Sequence, residues 1–186
     1  MKFSTIFTFA AAVLASPIEV RQARTVYELY TKSIYAEVDG KPLSLSGTSV
    51  GIWSGANEIL SVSNTGLSDN TFAVGDGSLQ TSVGVNKTTR NDGSPTYLQP
   101  LVALPDSQVV QSFSSNLFKI EPLNETADAR FYTVTWQDAR GWLAGPVREN
   151  QETGQPEGWS ILSRPNTEGI VIQTYMPIEI IAKVAI

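Results

Sequence analysis

An all-β fold, either a single antiparallel β-sandwich or a closed barrel, follows from three observations on this 186-residue sequence. Short apolar runs alternate at period two, and turn dipeptides punctuate them at frequent intervals. No stretch sustains helical periodicity over the about 10–12 residues that would mark a helix. A β-trefoil is the alternative, because the length suits it, although no threefold repeat is visible.

The chain opens with Met1–Ala15, which reads as a secretory signal peptide. Lys2 gives the positive start, Phe3–Leu14 the apolar run, and Val13-Leu14-Ala15 the small residues read by a signal peptidase. The run is shorter than the about 20 residues of a membrane span. Residues 16–25, with Pro17, Arg21 and Arg24, read as a short pro-segment or leader trimmed after a basic residue, and residues 26–186 as one β domain.

Within that domain Tyr27–Val38 is a predicted strand closing at Asp39-Gly40, a hairpin dipeptide. Leu43 and Leu45 alternate up to Gly47, Val50–Trp53 stops at Ser54-Gly55, and Glu58–Ser63 precedes Asn64-Thr65-Gly66. Thr71–Val74 and Ser78–Val83 flank Gly75-Asp76-Gly77. Asn86–Thr96 is polar and reads as an exposed loop. Tyr97–Leu104 and Gln108–Phe113 are strands separated by Pro105-Asp106, and Asn116–Leu123 is another, followed by a loop from Asn124 to Ala129.

The clearest pattern lies further on. Phe131–Trp136 alternates strictly, with Tyr132, Val134 and Trp136 on one face. Gln137–Gly141 has turn chemistry and Trp142–Ala144 follows, which predicts a hairpin. After a polar excursion from Arg148 to Glu157, Gly158–Leu162 completes a meander holding three of the four tryptophans. Gly169–Met176 is a predicted apolar strand, Pro177 breaks it, and Ile178–Ile186 closes the chain. Glu179 and Lys183 interrupt that last segment, so no lipid-anchor signal is expected.

Charge and residue usage exclude several chemistries. Three of the 13 Lys+Arg and one of the 18 Asp+Glu lie in residues 1–24, so removing them takes the net charge from −5 to −7. An acidic chain without a basic cluster repels nucleic acid. Neither His nor Cys is present, which removes His-dependent nucleophilic systems, zinc sites with N or S ligands, and disulfides. Asp69, Asp76 and Asp92 sit in turns and lack a calcium-loop pattern. No cofactor, metal or membrane partner is expected, and no catalytic residue is assigned.

Three binding or catalytic readings remain for the side chains. Trp53, Trp136, Trp142 and Trp159 could form a carbohydrate platform. Of these, Trp136 is expected in the core, while Trp142 and Trp159, bordering glycine turns, are the candidate sugar or partner contacts. Asn86–Thr96 could serve as the loop of a protease inhibitor. Asp138, Glu149, Glu152 and Glu157 could supply the two carboxylates of a glycoside hydrolase, but nothing in sequence pairs them. Asn86-Lys87-Thr88 and Asn124-Glu125-Thr126 match the N-glycosylation pattern, and both acceptors are expected on exposed loops.

Several stretches resemble the small secreted fungal proteins of the PhiA cell-wall type, some of them labelled IgE-binding allergens. They are the signal peptide, IYAEVDGKPLSLSGTSVGIWSG at 34–55, Asp76-Gly77-Ser78-Leu79, GWLAGP at 141–146 and GWSI at 158–161. Where that family shows Ala-Cys-Pro this chain has Ala144-Gly145-Pro146, making it a cysteine-free variant. The resemblance implies a noncatalytic extracellular or wall-associated protein whose partner is a wall polysaccharide or another extracellular protein. It supplies no catalytic residue.

Overall fold

The computed structural model describes residues 24–56, 58–64, 70–89, 91, 98–123, 130–137, 139–149, 156–165 and 174–185, with backbone alone at 148, 149, 156 and 165. Thirteen strands join in one antiparallel sheet. They are β1 Thr25–Lys32, β2 Ser44–Ser46, β3 Ser49–Trp53, β4 Ser61–Asn64, β5 Phe72–Val74, β6 Thr81–Asn86 and β7 Gln99–Pro105. Then follow β8 Phe113–Ser114, β9 Phe118–Pro122, β10 Phe131–Trp136, β11 Ala139–Glu149, β12 Pro156–Pro165 and β13 Met176–Val184.

The sheet closes on itself. The order β1-β4-β5-β6-β7-β3-β12-β11-β13 returns to β1 through a β1–β13 ladder, giving a nine-stranded barrel. Strands β2 and β8 add to β3 and β6, while β10 and β9 extend outward from β13. Closure gives each of the nine barrel strands a neighbour on both sides and leaves only the short β2, β8 and β9 as edges among the described residues. Alternate residues then fill the interior: Leu29, Val62, Phe72, Val83, Val85, Leu101, Ile161 and Ile180 belong to one buried cluster.

The outlying β9 and β10 carry aromatic cover to that core. Phe118 meets Phe72 at 4.8 Å between ring centroids and Trp136 edge-on at 4.8 Å, and stacks against Trp142 at 6.4 Å. Trp136 is buried, as alternation with Val134 predicts. Such ring pairs add about 0.5–1.5 kcal/mol beyond the area they bury.

Several expected elements take a different form. Residues 131–136 and 142–144 are not hydrogen-bonded to each other as a hairpin. Both follow the same edge of β13, Val134 opposite Ile180 and Trp142 opposite Ile178. The chain between them is looped out, and the Trp142 indole N–H closes that loop by donating to the Val134 carbonyl at 2.8 Å. The true hairpin is β11 with β12, which runs on into the polar segment as far as Glu149 opposite Pro156.

The first strand ends at Lys32, because the segment Ser33–Gly40 turns back. Ser33 N–H bonds Asp39 Oδ1 at 2.8 Å, Gly40 N–H returns to the Thr31 carbonyl, and Val38 drops into the core while Ile34 stays 91% exposed. Gln108–Phe113 is no strand: a 3-10 turn at Asp106–Gln108 precedes the two-residue β8. Pro177 lies inside β13 and does not break it, since its β1 partners begin only at Glu179 and no ladder donor is lost there. The predicted strand 169–176 falls largely outside the described residues. No helix among the described residues is long and apolar enough to cross a membrane.

Candidate functional site

The fold sorts the four tryptophans by strand parity. Trp142 is 3% exposed, its ring in the aromatic core and its N–H spent on Val134, so the expectation that it offers a contact surface is corrected. The inward phase of β11 is what buries it, beside Ala144. Trp159 is half-buried; its cross-strand partner is Ile52, and both pack against the core. No tryptophan strip forms from these residues.

Trp53 is the one set on the outer side. In β3, Val50 and Ile52 face the core, which turns Gly51 and Trp53 the other way. Trp53 also pairs across strands with Gly158. Its indole lies over both glycines: an alanine Cβ would come within 2.4 Å of Trp53 Cε3 at Gly158 and within 2.8 Å of Cε2 at Gly51. Two glycines therefore make the flat bed on which the ring rests, the aromatic cover of sheet glycines seen in other β proteins. Sequence reasoning passed over Trp53 as the site, although the Val-Gly-Ile-Trp alternation carries the signal.

Trp53 lines a depression of about 360 Å³ with Lys41, Pro42, Ser44, Ala56, Glu58 and Ile59, and the part-buried Ile52 also reaches its wall. That is within the about 300–1,000 Å³ of small-molecule sites. A neighbouring groove shares Ala56, Glu58 and Ile59 and continues along Leu45, Val74 and the exposed Leu79. The segment from Ser54 is anchored by its own bonds, with the Ser54 hydroxyl donating to the Glu157 carbonyl at 2.7 Å. An aromatic face, an ammonium, a carboxylate and a hydroxyl thus border one opening. This combination serves stacking and two-way hydrogen bonding, the needs of a sugar ring.

The remaining candidates are placed as follows. Asn86 is not on a loop: it ends β6, is half-buried, and its Oδ1 accepts from the Ser112 hydroxyl at 3.1 Å. Asn124 lies outside the described residues, as do Asp138, Glu152 and the side chain of Glu149. Glu157 is exposed at the start of β12. Of the expected inhibitory loop Asn86–Thr96, residues 90 and 92–96 lie outside the described residues. Among the described residues no three His, Cys, Asp or Glu side chains group to hold a metal ion. Comparison of the chain with protein-family models, with curated proteins and with solved structures finds no match.

Proposed function

We propose that this chain is a noncatalytic extracellular protein of the fungal cell wall or matrix, retained there by binding wall polysaccharide. The observation that carries the reading is the Trp53 ring, backed by Gly51 and Gly158 and facing a depression edged by Lys41, Ser44 and Glu58. A ring already fixed on the sheet loses little freedom when a sugar stacks on it, so the stacking energy goes into affinity. Secretion comes from the signal-peptide pattern, and the wall from the resemblance to PhiA-type proteins. Another extracellular protein is the alternative partner, with the apolar groove along Leu45, Ile59 and Leu79 as the surface that favours it.

A glycan array, followed by co-sedimentation with insoluble β-glucan and chitin, tests the reading. Wild-type protein is expected to pellet with at least one polymer. Trp53→Ala should weaken that by about three- to tenfold, the worth of one aromatic contact, while Trp53→Phe keeps most of it. Retention of the wild type by no glycan, or equal retention of Trp53→Ala, would overturn the proposal.

A further inference from the structure

A second, polar cleft crosses the outer face of the barrel and shares no lining residue with the Trp53 depression. Its floor is a row of small residues in register: Ser63 of β4 opposite Ala73 of β5, and Ala73 opposite Ser82 of β6. With neighbouring strands about 4.8 Å apart, the row is about 10 Å long. The cleft encloses about 370 Å³. Small side chains leave the floor low, and the walls rise on either side of it.

The two ends carry opposite charge. Arg24, just before β1, brings its guanidinium over Gly77, where an added Cβ would lie 1.9 Å from Nη1. Gly77, at φ +82°, is therefore required twice, for the turn and for the arginine. At the far end Asp106 accepts from the Ser82 hydroxyl at 3.0 Å. Gln80, on the wall between, holds φ +47°, the sole non-glycine residue among those described with a positive φ. Its carbonyl accepts from the Asp106 N–H at 2.8 Å, which fixes the acidic end against the turn.

The decisive feature is Ser63. It is 1% exposed, and its Oγ has no hydrogen-bond partner among the described residues. That oxygen points to the same space above Gly77 that the Arg24 guanidinium occupies, 3.2 Å from the position a Cβ would take. A buried hydroxyl left unpaired is a standing cost, and native structures keep few of them without a reason. Arg24 is exposed and its long side chain can swing aside, which would open Ser63 to an incoming group.

We infer that this cleft binds a neutral, hydroxyl-rich ligand, a short run of saccharide, and that Ser63, Ser82, Arg24 and Asp106 are its contacts. The charge pattern selects the class. A carboxylate would suit Arg24 but meet Asp106, and also Asp76, whose own carboxylate stands near Arg24. An ammonium would meet Arg24. A sugar hydroxyl both donates and accepts, so it answers Asp106, Arg24 and the unpaired Ser63 alike. With the Trp53 depression this gives one barrel two separate contacts to a polymer, and so the avidity of a bivalent binder.

The test follows backbone amide shifts by NMR while maltotriose, cellotriose and chitotriose are titrated separately into protein that retains Arg24, the chain from residue 22 onward. At least one is expected to shift the amides of Ser63, Ala73 and Ser82 saturably, and to do so equally in Trp53→Ala, which separates this site from the first. Ser63→Ala and Asp106→Asn should each weaken that binding about three- to tenfold, the worth of one hydrogen bond. Ser63→Ala should melt no lower than wild type, because it deletes an unpaired group; a merely structural serine would give the reverse. Absence of saturable shifts along the row with all three sugars, or wild-type affinity in Ser63→Ala, overturns the inference. Tighter binding of trigalacturonate than of the neutral trimers overturns the assignment of ligand class.

Discussion

Replacing Trp142 with phenylalanine tests how the barrel absorbs its largest irregularity. From Val134 to Trp142 the chain advances eight residues while its partner strand moves only two, from Ile180 to Ile178, so six residues are looped out. The Trp142 indole N–H ties the two ends of that loop at 2.8 Å. Phenylalanine keeps an aromatic ring near Phe118 but removes the indole bond to the Val134 carbonyl, which keeps its ladder place opposite Ile180, at a cost of about 0.5–1.5 kcal/mol. The smaller ring adds a cavity contribution, for a total of about 1.5–3 kcal/mol. With a urea m-value of about 2 kcal/mol/M, the unfolding midpoint should fall by about 0.7–1.5 M at unchanged slope. Thr135→Ala, exposed on the strand leading into the loop, should stay within about 0.5 kcal/mol of wild type. A midpoint shift below about 0.3 M for Trp142→Phe would show that the indole does not hold the loop, and the account of how β10 and β11 share one edge would fail.

Two further outcomes are expected. Burial, reinforced by the nearby Tyr132, pushes the Tyr27 hydroxyl above the ordinary 10.0, with the bond to Thr25 acting in the opposite direction. A folded pKa above the unfolded one means the contribution is complete below about pH 10 and is lost as pH climbs through the folded value. Melting temperature should therefore decline above pH 10 in wild type and more gently in Tyr27→Phe, and parallel curves would refute the assignment. Secreted from a eukaryotic host, the protein is expected to lose apparent mass on N-glycosidase treatment. Asn86→Gln should remove one step of that change, because the Ser112 bond uses Oδ1 and leaves the amide nitrogen for the glycan; an unchanged band pattern in the variant would assign no glycan to Asn86.

Local chemistry in the sequence was enough to determine the all-β class, the barrel-or-sandwich alternative and the inward phase of Trp136. Period-two alternation and turn residues act within a few positions of one another, and they are readable without knowing any partner strand. The Val50–Trp53 stretch shows the same legibility at the candidate site, since the glycine and the tryptophan fall on one face by parity alone.

Tertiary structure decided the rest, because pairing joins residues far apart in the chain. That β13 lies alongside both β10 and β11, turning an apparent hairpin into a looped-out excursion, depends on contacts about 40 residues away and leaves no local mark. Trp142 and Trp159 border turns in the sequence, yet closure of the sheet turns both toward the core. Gly158 becomes a bed for Trp53 only because β12 pairs with β3 across more than a hundred residues. The polar cleft needs still more: in the sequence Arg24 reads as part of a leader, Ser63 and Ser82 as strand residues and Asp106 as a break between strands, with nothing to join them. Only the order β1-β4-β5-β6-β7 lays them side by side, with opposite charges at the ends and one unpaired hydroxyl between.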